Sequence, residues 1–300
     1  MSVPPSRSGF VAVVGRPNVG KSTLVNRLVG RKVAIVSDKP QTTRNRILAV
    51  VHRPAGQIVL FDTPGIHKPR HALNRRMVDV AMKTFSQADL VLWLSDVTQS
   101  YGPGERHVRL ALARSRVPIM LGLNKIDALP KPAILPAIDQ YRNLLPFVEI
   151  IPLSALSGEN VDLLTERLLA HLPEGERLYP EDFLTDQPER FFVAEMIREQ
   201  VLRATRDELP YSTGVMVESL KDDPDLVRIE ASILVERESQ KGILIGKGGA
   251  RLKAVGTAAR QGLEAFFGTR VYLGLFVKVR RAWRENPSFL EQMGLSAPRR

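Results

Sequence analysis

The run Gly15-Arg16-Pro17-Asn18-Val19-Gly20-Lys21-Ser22 constrains this chain more than any other stretch. It fits G-x-x-x-x-G-K-[ST], and its setting is right for a phosphate-binding P-loop. Phe10–Val14 before it is an apolar strand run. Ser22–Val29 after it carries Leu24, Val25 and Leu28 on one helix face, with Gly30 placed to stop the helix. A strand that turns through glycines into a helix aims backbone N–H groups and a positive helix end at one point, which suits phosphate. Gly15 and Gly20 permit close approach, Lys21 is a point charge for β and γ oxygens, and Ser22 offers a hydroxyl to Mg²⁺.

The rest of the first half supports a sheet around that unit. Ile47–His52 and Ile58–Phe61 flank Pro54-Ala55-Gly56 as a hairpin, and Leu90–Leu94, Val117–Leu123 and Ile150–Leu153 read as strands. Helical patterns fall around Leu73–Phe85, Arg106–Ala113 and Val161–Leu172. The alternation predicts an α/β domain, a mainly parallel sheet with helices on both faces.

Three further pieces end strands in that sheet. Asp62-Thr63-Pro64-Gly65 follows Ile58–Phe61; Asp62 is placed to hold Mg²⁺ through water, and the Gly65 amide to reach a γ-phosphate. Asn124-Lys125-Ile126-Asp127 follows the next-but-one strand. An aspartate facing a purine edge accepts from guanine N1–H and N2–H₂, a donor pair adenine lacks, so Asp127 selects GTP over ATP. Ser154-Ala155-Leu156 follows the last strand and is expected to offer the Ala155 amide to guanine O6. The expected catalytic set is Lys21, Thr43, Asp62 and Gly65, and the expected metal set is Ser22, Thr43 and Asp62.

In this order the pieces resemble the G domain of translation-factor-class GTPases. Lys39-Pro40-Gln41-Thr42-Thr43-Arg44, lying between the P-loop and Asp62, is similar to the Thr-Thr-Arg segment of the TrmE–Era group. That resemblance makes Thr43 the metal-contacting threonine, with Thr42 second, and associates Asn18 with K⁺. Where Ras-type enzymes carry a water-orienting Gln after the glycine, this chain has Ile66, so slow intrinsic hydrolysis is expected.

The second half has another texture. Residues 176–190, rich in proline and charge, are expected as a linker, and 191–300 as a second domain. Its predicted order is helix (Phe191–Glu208), strands near Val215–Leu220 and Leu226–Glu236, a short helix, a glycine cluster, a longer helix (Ala250–Phe267) and a strand (Arg270–Val279). Gly246-Lys247-Gly248-Gly249 between helices resembles the GXXG loop of a type II KH domain, which clamps about four single-stranded nucleotides. Small residues admit phosphates, Lys247, Arg251 and Lys253 add charge, and Ile243 and Ile245 form a groove floor. Lys278 and Arg280 extend the track, and Trp283 either stacks on a base or packs in its own domain.

Composition agrees. The 300 residues are 44% apolar and 25% charged, which excludes a disordered chain. With no cysteine there is no disulfide, thiolate zinc site or cysteine nucleophile. Nearly apolar runs reach only seven residues, against about 20 for a spanning helix, and a cytoplasmic chain is expected. Of the net charge of +11, residues 241–300 carry +9, from 12 Lys/Arg and 3 Asp/Glu. Such a pole points to a phosphate-rich partner.

A Thr-Thr-Arg GTPase joined to one KH module resembles the Era family of bacterial ribosome-assembly GTPases over essentially the full length. The resemblance implies GTP and GDP as ligands and small-subunit ribosomal RNA near its 3′ end as target. It also implies a role in small-subunit assembly, a weak membrane association and a monomeric state. Pro298-Arg299-Arg300 has no assigned role. Three other readings are open: a constitutive RNA-binding chaperone with a structural nucleotide site, a peripheral membrane GTPase, and a P-loop kinase or ATPase that Asn124–Asp127 argues against.

Overall fold

The computed structural model describes residues 6–39, 42–66, 72–85, 87–205 and 209–293. Pro40, Gln41, the expected end of a helix at Glu208 and the 298–300 tail lie outside the described residues. The chain divides into two compact units, one made mostly of residues up to Asp186 and the other mostly of residues from Gln187.

The first unit runs β1 (Arg7–Val14), α1 (Lys21–Val29), β2 (Ile47–Arg53), β3 (Gly56–Asp62), α2 (Ala72–Phe85), β4 (Leu90–Asp96), α3 (Pro103–Leu112), β5 (Ile119–Asn124), α4 (Ile134–Tyr141), β6 (Phe147–Leu153) and α5 (Val161–His171). The sheet order is β2-β3-β1-β4-β5-β6. Only β2 runs antiparallel to its neighbour; all other pairs are parallel. The central strands are buried along their length, as a sheet covered on both faces requires. Parallel order puts the ends of β1, β3, β5 and β6 on one edge, so the four motifs meet there. Gly30 ends α1 as expected, with φ 77° and its N–H bonded to the Asn26 and Arg27 carbonyls.

Residues 176–186, expected as part of the linker, are packed on this unit's outer edge. The Gln57 side chain accepts from the Leu178 and Tyr179 amides at 2.8 and 3.0 Å and donates to the Tyr179 carbonyl. Val50 donates to the Leu184 carbonyl at 2.9 Å, and Tyr179 and Phe183 pack against Leu48, Val50, Val59 and Phe61. The segment satisfies edge-strand groups and half-buries two rings, so it stops being a free tether there.

The second unit runs α6 (Glu189–Ala204), α7 (Leu209–Ser212), β7 (Gly214–Asp223), β8 (Leu226–Val235), α8 (Glu238–Ile245), α9 (Ala250–Phe267), β9 (Arg270–Val279) and α10 (Pro287–Gln292). The sheet order is β7-β8-β9, with β7 antiparallel and β9 parallel to β8. Val193, Ile197 and Val201 on α6, and Val255, Ala259 and Leu263 on α9, recur every fourth residue and form one stripe per helix. They pack on Val227, Ile229, Ala231 and Ile233, the alternate residues of β8.

Candidate nucleotide site and RNA-facing loop

The phosphate loop is held open by backbone geometry. Gly20 has φ 99°, and a Cβ there would lie 2.3 Å from Asn124 Nδ2. Asn18 also takes positive φ, 64°. Gly65 lies against Pro17, whose amide nitrogen would be 2.6 Å from a Gly65 Cβ, and Ile66 donates from its amide to the Gly15 carbonyl at 3.1 Å. Val19 is buried under the loop, and the Thr63 hydroxyl, fully buried beside Pro64, donates to the Val13 carbonyl at 2.8 Å.

Lys21 is buried, and its Nζ donates to the Arg16 carbonyl at 2.8 Å and more weakly to the Gly15 carbonyl at 3.4 Å. Burial pushes its pKa down to about 8, against the charges of Asp62 and Glu105, which raise it. Burial pushes the Asp62 carboxyl up, opposed by Lys21, Ser22 and Thr43. Ser22 Oγ donates to Asp62 Oδ2 at 2.7 Å and lies 2.9 Å from Thr43 Oγ1, and Thr43 Oγ1 reaches Asp62 at 3.5 Å. Asp62 Oδ1 is buried with no hydrogen-bond partner among the described residues. Three converging hard oxygens and one uncompensated buried carboxylate oxygen fit Mg²⁺, whose charge would also relieve the desolvation of Asp62. When bound, Mg²⁺ neutralises phosphate charge.

Ile66, at the water-orienting position, is 1% exposed and packed with Ala12, Val14, Ala81 and Trp93. It is a core residue, and water activation falls to some other group.

The base side of the site is a cross-linked platform. Asn124 donates to the Val19 carbonyl and accepts from the Ala155 amide. The Ala155 amide, expected to face guanine O6, is therefore already engaged by Asn124. Ser154 is fully buried and its Oγ accepts from the Ser157 amide at 2.9 Å, a turn-forming role rather than a ligand-facing one. Lys125, at φ 71°, pairs with Asp96 at 2.6 Å. Asp127 lies exposed on the short 3₁₀ turn Ile126–Ala128 after β5, a carboxylate available to a purine edge.

Two contributors escape motif reading. Arg27 donates to the Ala155 carbonyl at 2.7 Å and to that of Leu156, tying α1 to the Ser154–Leu156 loop. The other is α3, toward whose Glu105 the Arg16 side chain turns; Arg16, expected as a nucleotide contact, contributes its carbonyl to the site through Lys21. A basic residue in the last turn of a helix has many uses, so neither role is marked in the sequence.

In the second unit, Gly246, Gly248 and Gly249 have φ of 73°, 58° and 79°, a left-handed run that glycine adopts cheaply. Lys247 is exposed at the loop's tip, and Arg251 and Lys253 are exposed on the first turn of α9. Arg251 donates to the Ile243 carbonyl, bracing the loop. Ile243 is 52% exposed, as a groove floor needs, while Ile245 is half-buried against the core. Lys278 pairs with Glu218 at 2.8 Å, which holds the Glu218 carboxyl below its ordinary range. The Arg280 amide donates to the Val235 carbonyl at 2.7 Å, which sets this strand end beside the entry to α8. Trp283 is buried and donates to the Ser212 carbonyl at 3.0 Å, so it packs in its own unit and does not stack on a base.

Comparison with known proteins follows this division. A family described as 50S ribosome-binding GTPase matches residues 10–125, and the KH domain family matches residues 208–284. The chain is similar to the GTPase Era of Geobacter metallireducens, 51% identical over 296 residues, covering 98% of this chain and 99% of that protein. It is also similar to the GTPase Era of Staphylococcus haemolyticus, 48% identical with 96% and 97% covered. A crystal structure of Era in complex with MgGDPNP and nucleotides 1506–1542 of 16S ribosomal RNA matches with a TM-score of 0.94 at 42% identity, covering 97% of this chain and 99% of that one. An Aquifex aeolicus Era variant bound to GDP and AlF₄⁻ matches with a TM-score of 0.93, also at 42% identity and with the same coverage.

Proposed function

The chain belongs to the Era family of GTPases, and from that premise we propose that it is a GTP-hydrolysing switch that binds the 3′ end of small-subunit ribosomal RNA and assists assembly of that subunit. The observation that carries this is the presence on one chain of a guanine-type site, with Asn124 joining the phosphate loop to the Ala155 loop, and a left-handed glycine loop flanked by Lys247 and Arg251. Mg²⁺ accompanies the nucleotide in the relative, and Ser22, Thr43 and Asp62 would hold it here.

Within this reading GTP orders the Thr42–Thr43 segment and the turn at Gly65, and hydrolysis releases them. The states differ in RNA affinity by a coupling of about 1–3 kcal/mol. A short single-stranded RNA copied from the 3′ end is titrated into the GDP-loaded chain and into the chain with a non-hydrolysable GTP analogue, at fixed salt. Tighter binding in the GTP state supports the switch. Equal binding favours a constitutive RNA chaperone.

Asn18 would hold K⁺, whose charge would stabilise the phosphates in a site that lacks a water-orienting side chain at Ile66, a reading supported by the family resemblance and tested by hydrolysis rates in K⁺ against Na⁺. The chain acts in the cytoplasm as a monomer, with a weak hold on the inner membrane face through its basic pole. The net charge of +11 supports that hold, and loss of binding to anionic vesicles as salt rises tests it.

A further inference from the structure

Arg16 stands second in the phosphate loop, yet its side chain lies along the first turn of α3. Its Nη2 donates to Gln99 Oε1 at 3.2 Å, and its Nη1 lies 3.7 Å from Glu105 Oε1. The Glu105 side chain is 2% exposed, and among the described residues neither carboxylate oxygen has a hydrogen-bond partner of good geometry, although the Ser95 and Trp93 donors lie near enough to favour its ionised form. A buried carboxylate in that position depends on a facing cation. Room for the guanidinium exists because residue 104 is glycine; a Cβ there would lie 2.6 Å from Arg16 Nε.

The other end of Arg16 touches the chemistry. Its carbonyl accepts from Lys21 Nζ at 2.8 Å. One residue therefore has its side chain anchored on α3 and its peptide group on the lysine that meets the phosphates. We propose that Glu105 is a positioning residue for GTP hydrolysis: by gripping Arg16 it fixes the Gly15–Asn18 peptide planes and, through the Arg16 carbonyl, the place of Lys21.

Several groups bear on Glu105. Burial pushes its carboxyl up; Ser95 and Trp93 on β4 and Arg16 on the loop oppose this, and the Asp96 charge adds to it. Tyr141 on α4, hydrogen-bonded to Ser95 at 2.8 Å and pushed up to about 12 chiefly by burial, closes one side, with Tyr101 against its ring. Lys21 adds a positive charge from α1. The grip needs Glu105 ionised, so it is complete above the Glu105 pKa and lost as pH falls through it.

The inference rests on the reading of this site as a GTPase site. Its test is GTP turnover by the full chain at saturating Mg²⁺ from pH 5.5 to 8, for wild type, Glu105→Gln, Glu105→Asp, Arg16→Met and the Glu105→Gln/Arg16→Met double variant. Glu105→Gln is expected to lower kcat/KM about tenfold at pH 7.5, with Glu105→Asp recovering part of the loss. The wild-type advantage shrinks toward acid pH, because protonated Glu105 resembles Gln; Lys21, whose pKa the Glu105 charge raises, is protonated in both proteins at the acid end, so the shrinkage is read between pH 5.5 and 7. The double variant is expected to be no worse than either single one. Gly104→Ala, which displaces Arg16 and leaves Glu105 charged, gives the same loss and serves if Glu105→Gln does not fold. A Glu105→Gln enzyme equal to wild type across the range, losses that multiply in the double variant, or a fully active Gly104→Ala overturns the proposal. A wild type without GTP turnover overturns the reading of the site itself.

Discussion

The side-chain amide of Asn124 donates to the Val19 carbonyl at 2.7 Å, joining the end of β5 to the phosphate loop. Its oxygen accepts from the Ala155 amide at 2.8 Å, so one residue, 2% exposed, clamps two loops to the end of β5. Asn124→Ala removes both bonds and strands a buried N–H and C=O. The expected cost is about 2–3 kcal/mol, seen as a fall of roughly 5–10 °C in the melting of the first unit. Added GDP would recover less of that loss than in wild type, because the guanine platform is itself loosened.

Gly20 faces the same amide from the other side. With φ 99° and a Cβ position 2.3 Å from Asn124 Nδ2, alanine there meets both backbone strain and a clash. Gly20→Ala is expected to destabilise by about 2–4 kcal/mol and to abolish tight nucleotide binding. Asn124→Ala removes the clashing group, so Gly20→Ala/Asn124→Ala should cost less than the sum of the two, a non-additivity of about 1 kcal/mol or more by urea unfolding. Strict additivity would mean that Gly20 is constrained by its backbone angle alone.

These contacts separate what a sequence announces from what it hides. Lys21 and Ser22 are legible at a helix start that follows a glycine loop, and Asp62 and Asn124 at strand ends, each a place where one chemistry fits. The same reading gives Arg16 and Ala155 their backbone neighbourhood but not the direction of a side chain or the owner of an amide. α4 is missed because Pro130, Pro132 and Pro136 break the helical pattern, although the helix begins only at Ile134 and Pro136 falls in its first turn, where proline is tolerated. Residues 178–186 read as linker because their partners, Gln57 and β2, lie more than a hundred residues away. The α-β-β-α-α-β order that runs from α6 to β9 in the second unit is legible, since each of those elements pairs a clear period with a clear break, whereas α7 and α10 are not, being four and six residues long and too short to show a helical period.

Lys21 gives the site a pH dependence of determinate sign. Burial lowers its pKa to about 8, and bound phosphates would raise it again. Nucleotide binding thus takes up a proton above pH 8. Affinity is complete below that pH and falls as pH rises through it, by up to about tenfold per unit. A fluorescent GDP analogue titrated between pH 7 and 9.5 measures this. Lys21→Arg, which does not titrate, should bind more weakly at pH 7 and show no such slope; the same slope in both proteins would assign it to the nucleotide.

The glycine loop of the second unit can be altered without disturbing the first. A Cβ at Gly248 meets nothing within 4 Å, and Lys247 is exposed, so Lys247→Glu/Gly248→Asp changes charge at the loop's tip with little packing cost. The left-handed φ of 58° is one that aspartate tolerates better than most side chains. Placing two acidic groups where phosphates approach is expected to weaken binding of the 3′-end RNA more than tenfold at physiological salt. It should also reduce the slope of log K against log salt by about one, the share of one lost phosphate contact. GTP turnover without RNA should remain at the wild-type rate, because no nucleotide-site residue is touched. Unchanged RNA affinity in this variant, with the salt slope intact, would move the RNA track away from the Gly246–Gly249 loop and toward the strand end at Lys278 and Arg280.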